Sequence, residues 1–258
     1  TLTIGRTYLI DALNPTVGYY GFNIRGLFYE TIVEAADGSN VEPGLAESWS
    51  VTDDGLTWTF YIRPGQTFHN GDKLTAHDVK FSLERQMGPG SLAAAAATMK
   101  RSIKDIEVVD DLTVKVLTTS PQIGLPASLS RAVAPEGAIM PKAYIEKVGE
   151  EGFRKNPVGS GPWKFVRNVP GDRIEFTAVT TPHWRGKPQF KDLHILLVPE
   201  ESTRVAMVRT GRGMSVLYCS APSTATPAAS PAEPSRKRSE KRWLKGTPSG
   251  VICWVRSR

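Results

Sequence analysis

Four histidines, a serine between two glycines and several tryptophans are the side chains through which this 258-residue chain could do chemistry. His69 and His77 lie eight positions apart, and His183 and His194 eleven. Neither spacing sets two imidazoles one turn apart on a helix, and no cysteine stands beside them, so no metal site is expected. His69 falls in a turn, His77 in the first turn of a helix, His183 beside Pro182 in a loop and His194 within a strand. The reading is four solvated or locally bonded rings. Val158-Gly159-Ser160-Gly161-Pro162 departs from the G-x-S-x-G elbow that exposes a nucleophilic serine. Its glycines are expected to let the chain turn sharply before Trp163. With no catalytic constellation, neither an enzyme nor a cofactor is expected. Trp49, Trp58, Trp163 and Trp184 have the ring area and the N–H donor of a ligand platform. For Trp58 and Trp163 packing between strands is the expected use.

The elements that must position these groups follow from local pattern. Trp58, Phe60 and Ile62 alternate with Thr57, Thr59, Tyr61 and Arg63, the period of a half-buried strand. Asp53-Asp54-Gly55 and Asn70-Gly71-Asp72 mark turns on either side. Thr75, three residues before Asp78, opens a helix with Val79, Leu83 and Met87 on one face. An opening strand is expected over Leu2–Ile4 and Tyr8–Ile10, a helix over Tyr19–Ile32, and a short helix over Ala93–Ala97. Asp110-Asp111 should turn a hairpin between Ile106–Val108 and Leu112–Val116. A proline-initiated helix is expected over Pro141–Val148, and a second hairpin around Pro170-Gly171-Asp172. Leu193–Val198 reads as a buried central strand. Glu200-Glu201 should open a last helix that Arg204 and Arg209 close, with Gly211 as its cap.

The stretch Leu45–Arg85 also resembles a known family. Leu45-Ala46, Ser48-Trp49, Asp54-Gly55, Trp58-Thr59-Phe60, Ile62-Arg63, Gly65, Phe68-His69-Asn70-Gly71, Leu74-Thr75-Ala76 and Asp78-Val79 carry the resemblance. A second block, Asn156-Pro157-Val158-Gly159-Ser160-Gly161-Pro162-Trp163-Lys164-Phe165, continues it through Pro170-Gly171-Asp172-Arg173, Trp184, Gly186-Lys187-Pro188 and Pro199. Together they resemble the extracellular solute-binding proteins of family 5, the peptide- and nickel-binding components of ABC importers, over residues 1 to about 211.

The resemblance implies an α/β, periplasmic binding protein-like fold of the type II, peptide-binding class. The chain would hold the first lobe and an extra subdomain, with the second lobe missing. Residues 1–44 and 157–211 would be part of the hinge-bearing first lobe, and 45–156 the extra subdomain. The implied function is capture of a small solute, a short peptide first among candidates, by lobe closure without chemistry on the ligand, for delivery to a membrane permease. The expected setting is the periplasm, or the cell surface of a Gram-positive organism, with a removed signal and a monomeric state. What remains of the cleft would come from the Thr16–Phe22 turn and the loop around Ser128–Pro135. There Tyr19 and Tyr20 could stack on or hydrogen-bond a ligand, and Arg131 could pair with its carboxylate. The alternative is a truncated fragment or interaction module that binds no ligand.

Charge divides the chain unevenly. Its net charge of +6 comes from residues 212–258, which hold nine Lys and Arg against two Asp and Glu, whereas residues 1–211 sum to −1. Both cysteines, Cys219 and Cys253, lie in this last stretch, and Ser220–Ser239 is rich in Ser, Pro, Ala and Thr. The segment reads as a disordered or frameshift-derived tail. It lacks interleaved aromatics, so no specific nucleic-acid partner is expected.

Overall fold

The computed structural model describes residues 1–9, 13–16, 22–35, 40–93, 96–130 and 137–215. Two sheets organise them. The first is an antiparallel sheet in the order β4-β5-β7-β6, built from β4 (Ala46–Val51), β5 (Thr57–Ile62), β6 (Ile103–Asp110) and β7 (Thr113–Thr118). In β5, Trp58, Phe60 and Ile62 are buried and Tyr61 faces outward, as the alternation requires. Gly55 adopts a φ of 70° in the β4–β5 turn, and Asp54 Oδ1 accepts the Leu56 N–H there. Phe60 lies opposite Val114, and Asp110 opposite Thr113 at the second hairpin.

Helix α2 (Ala76–Met87) covers this sheet with Val79 and Leu83, both fully buried. The expected cap is present and reaches further than the sequence shows. Asp78 Oδ2 accepts the Thr75 N–H at 2.9 Å and its hydroxyl at 3.0 Å. Its Oδ1 accepts the Lys142 N–H at 2.9 Å, so one carboxylate serves the starts of both α2 and α5 (Lys142–Lys155). The expected Pro141–Val148 helix runs on to Lys155 past a non-helical Gly149 with φ of 69°. Helix α3 spans Ala96–Ser102, and residues 94 and 95 of the expected Ala93–Ala97 helix lie outside the described residues. Helix α4 spans Leu125–Ser128.

The second sheet has the order β11-β1-β10-β9-β8, from β1 (Leu2–Arg6), β8 (Trp163–Val169), β9 (Arg173–Ala178), β10 (Asp192–Leu197) and β11 (Met214–Ser215). β1 runs parallel to both neighbours, with Ile4 opposite Ile195 and Met214. β8 and β9 form the expected hairpin, turning at Gly171. β10 is central, with Leu193 and Ile195 buried.

Three expectations need correction. The opening strand is Leu2–Arg6, and Tyr8 and Leu9 lie outside it, while residue 10 is not among the described residues. The helix expected over Tyr19–Ile32 ends at Phe28 as α1, Phe22–Phe28, while residues 19–21 of that stretch lie outside the described residues. Beyond it, Thr31 bridges Ala138 and Val33 bridges Ser130, and Val33–Ala35 forms β2 against β3 (Val41–Pro43). Ile32 is buried by this extended path, where non-local pairing overrides a helical spacing of apolar residues. In α6 (Glu201–Arg209), Arg204 does not close the helix. Its Nη1 donates to the Val198 and Pro199 carbonyls before the helix start, and only Arg209 lies in the last turn. Gly211 follows with φ of 69°, its N–H on the Val208 carbonyl.

The first core includes Ile32, Leu45, Phe60, Leu83 and Val114. The second gathers Phe28, Tyr29, Met140, Phe153, Trp163, Phe176 and Leu193. Trp58 and Trp163 are buried packing residues, as expected.

Candidate ligand-binding site

Tyr19, Tyr20 and Arg131, the expected ligand-binding residues, lie outside the described residues. The chain flanking them is described, and α1 and both flanks of residues 131–136 meet at one segment, Phe28–Val33. Residues 17–21 stand between Thr16, whose carbonyl accepts the Leu92 N–H, and the start of α1. α1 leads straight into Phe28–Val33. Residues 131–136 have both flanks on the same segment. Ser130 bridges Val33, Ala138 bridges Thr31, and the Ile139 N–H donates to the Glu30 carbonyl at 2.9 Å. Ser130 and Ala138 are buried, so these anchors are shielded from competing water.

Gly159-Ser160-Gly161 packs directly on this segment. A Cβ on Gly159 would stand 2.3 Å from the Phe28 carbonyl oxygen, and one on Gly161 2.7 Å from that of Leu27. Close approach of two backbones, not a left-handed turn, is therefore what requires glycine here. The Gly161 N–H donates to the Phe28 carbonyl at 2.8 Å. Ser160 is buried, its hydroxyl makes no hydrogen bond, and its carbonyl receives His183 Nε2 at 3.1 Å.

A charged cluster sits beneath. Glu30, 1% exposed, meets Arg185 Nη2 at 2.7 Å and His183 Nε2 at 3.3 Å through the same carboxylate oxygen. Arg185 Nη1 also donates to the Gly26 carbonyl in α1 at 3.0 Å. The Arg185 N–H donates to His183 Nδ1, which leaves the ring proton on Nε2, facing Glu30. Burial lowers the His183 pKa, but the hydrogen bond and charge of Glu30 outweigh it and hold the ring above its usual value. His69 joins from the other side of the glycines, its Nε2 donating to the Gly161 carbonyl at 2.8 Å and its N–H to that of Gly159. Burial takes its pKa down to about 4, so this ring is neutral. Glu34, also buried, is pushed up to about 7 by burial, with Arg185 opposing and Glu30 reinforcing.

Two of the four histidines are thus locally bonded groups on one backbone turn, although 114 positions separate them. His77 is exposed, 3.8 Å from Asp111, and His194 is half-buried in β10. Among the described residues no cluster of three or more His, Cys, Asp and Glu could hold a metal, and no helix is long and apolar enough to cross a membrane. Trp184 carries Arg63 over its ring at 5.4 Å, which joins the charged cluster to the end of β5. Glu30 and Arg185 escape a reading by motif. The signal for Glu30 is one carboxylate inside the apolar run Leu27–Val33; nothing local pairs it with Arg185.

The arrangement offers an anchored backbone platform. Comparison with known proteins places it. Residues 40–248 match the profile of the bacterial extracellular solute-binding proteins, family 5 middle region, a span that runs past Gly211. The di/tripeptide-binding protein 4 of Pseudomonas aeruginosa is 32% identical over 201 residues, 70% of this chain and 37% of that protein. The heme-binding protein A of Haemophilus influenzae is 30% identical over 208 residues, 74% of this chain and 38% of that protein. Among solved structures, the ABC transporter-associated periplasmic binding protein DppA from Helicobacter pylori, in complex with the peptide STSA, superposes with a TM-score of 0.75 at 28% identity. It covers 83% of this chain and 46% of its own. The chain thus spans less than half the length of these relatives, and its fold is the α/β type II periplasmic binding protein fold over part of a lobe.

Proposed function

The chain belongs to the bacterial extracellular solute-binding proteins of family 5, and from that membership we propose that it serves ABC import by capturing a short peptide for a membrane permease. The observation that carries the reading is the matched span together with the di/tripeptide-binding relative at 32% identity. Tyr19, Tyr20 and Arg131 are the proposed ligand contacts. Tyrosine rings supply stacking area, and the guanidinium pairs with a terminal carboxylate. Ser130, Ala138 and Ile139, which flank residues 131–136, pair with Phe28–Val33, and α1 leads from residue 21 into that segment, which supports a shared surface. Residues 1–44 and 157–211 are proposed as the lobe proper and 45–156 as the subdomain. The proposed setting is the periplasm or outer cell surface, where such a protein meets its solute. Capture by lobe closure requires differential affinity for the closed form and no covalent step, so the protein is not proposed to be an enzyme.

Thermal unfolding in the presence of a panel of di- and tripeptides, free amino acids, nickel–histidine and haem tests this. A ligand that binds the native state alone raises Tm with its concentration, by about 2.7 kcal/mol in stability at a hundredfold excess over Kd. The expected result is a concentration-dependent rise with di- or tripeptides. A rise with haem or nickel–histidine alone, or with nothing in the panel, would reject the peptide reading.

A further inference from the structure

We propose that His183 is a proton-operated switch in the connection between β9 and β10. Neutral, its ring accepts the Arg185 N–H and holds that turn closed; protonated on both nitrogens, it releases the N–H and keeps Glu30 and the Ser160 carbonyl. The inference does not depend on which solute the protein takes.

The two ring nitrogens have opposite tasks. Nδ1 accepts the Arg185 N–H at 3.1 Å, which requires a bare nitrogen. Nε2 faces the Ser160 carbonyl at 3.1 Å and Glu30 Oε1 at 3.3 Å, which requires a proton. The neutral ring with its proton on Nε2 meets all three contacts. Its side chain is only 9% exposed, so water has little room to replace a lost partner. A second proton must go to Nδ1, and two N–H groups then point at each other across 3.1 Å. The same proton sets a positive charge against the buried Glu30 carboxylate, which favours its uptake. The switch thus exchanges one backbone hydrogen bond for a buried ion pair.

The exchange reaches Arg185 by two routes. Loss of the His183 acceptor frees its backbone, leaving the turn closed by the Gly186 N–H on the His183 carbonyl at 2.8 Å. The imidazolium also competes with the guanidinium, because both meet Glu30 Oε1, Arg185 Nη2 at 2.7 Å. Arg185 Nη1 holds the Gly26 carbonyl, so the switch acts on the contact between this connection and α1. Further charged groups face the cluster from every side. Glu34 lies near Arg185, with Glu30 and Glu42 beside it. Arg63 stands over Trp184, whose ring tilts against that of His183. His69 and Lys164 lie across the glycines, the Lys164 Nζ on the His69 carbonyl. Glu34 titrates at about 7, within the range of the switch, and His69 at about 4, below it. Glu30 holds His183 above the ordinary histidine value, so the switch works at a higher pH than a free imidazole would.

NMR of the 258-residue chain from about pH 8.5 to about pH 5.5, either side of the ordinary histidine value, tests the switch. The His183 ring should carry a proton on Nε2 alone at the alkaline end and on both nitrogens at the acid end. Over the same midpoint the Arg185 amide should lose about tenfold in protection from hydrogen exchange, corrected for its intrinsic rate. The amides of Gly161 and Ile62, bonded to the Phe28 and Leu112 carbonyls, should change less than about twofold. In His183→Asn the carboxamide oxygen takes the place of Nδ1 and does not titrate, so protection at Arg185 should hold across the range. Glu34 still titrates in that variant, which separates its effect from that of the ring. Glu30→Gln should lower the His183 midpoint by about one pH unit or more. A ring that keeps Nδ1 bare down to about pH 5.5 would overturn the proposal. So would an Arg185 amide indifferent to the ring's titration, the same loss of protection in His183→Asn, or an unchanged midpoint in Glu30→Gln. Should His183→Asn not fold, the unaltered chain and Glu30→Gln still decide.

Discussion

The four-stranded sheet and the five-stranded sheet secure their chains in different ways. The first is an antiparallel sheet whose pairs β4–β5 and β6–β7 are turned by two- to five-residue links, and its core is built on apolar side chains, with Ser82 and Gln86 of α2 also buried. The second takes β1 from the start of the chain and sets it parallel to strands about 190 and 210 positions later. Around its edge the structure carries ion pairs, the buried Glu30 with Arg185 and His183, and Glu175 with the more exposed Arg167 and Arg173. Apolar contacts are insensitive to pH and tolerate exchange of similar volumes, whereas buried charges demand particular partners. The first region thus works as a frame, and the junction beside the second is where small chemical changes can move the chain.

The largest effect should come from the frame. Phe60→Ala removes a fully buried ring from the centre of the four-stranded sheet and should cost about 4 kcal/mol, read by urea unfolding. A loss below about 1 kcal/mol would mean that this core is looser than its burial indicates.

The next effect separates the regions by pH. Native His69 titrates near 4 and its unfolded counterpart near 6.5, so the unfolded chain binds more protons between these values. Stability present above pH 6.5 is lost as pH falls toward 4, by up to about 3 kcal/mol. Glu34 acts in the opposite sense. Its native pKa of about 7 exceeds the ordinary 4.5, so stability present below pH 4.5 is lost as pH rises through 7. His69→Gln should therefore flatten the acid limb of the stability–pH curve, and Glu34→Gln the limb approaching neutrality. Curves that shift in parallel, without a change of slope, would show that neither group titrates as its surroundings dictate.

A smaller effect should fall on the link between the regions. Asp78→Ala removes the acceptor shared by the Thr75 and Lys142 N–H groups and should cost about 2 kcal/mol, measured by thermal unfolding. Asp78→Asn, which keeps one acceptor oxygen, should cost less.

These differences also explain what the sequence makes legible. The alternation in Thr57–Ile62, the cap at Thr75 and the Asp110-Asp111 turn are local, and their elements lie where pattern puts them. Ile32 misleads because its spacing suits a helix, while its neighbours Thr31 and Val33 bridge residues about a hundred positions away and its own carbonyl accepts the Ala46 N–H. Arg204 misleads because the acceptors of a guanidinium depend on where the long side chain bends. The glycines at 159 and 161 are legible as special, but their reason, contact with Phe28, is not. At the site, the resemblance implies which stretches bear Tyr19, Tyr20 and Arg131. The bridges from Thr31 and Val33 to Ala138 and Ser130 and the pairing of Glu30 with Arg185 join residues far apart in sequence and leave no local trace.

The most direct test of peptide capture is a calorimetric titration with a tripeptide and with its C-terminal amide, on the unaltered chain and on Arg131→Ala. A charge-assisted pair with the carboxylate is worth roughly 1.5 to 3 kcal/mol. The account predicts that the unaltered chain prefers the free acid by about tenfold or more, and that Arg131→Ala abolishes the preference. An equal preference for the acid in both proteins, or none in the unaltered chain, would contradict it.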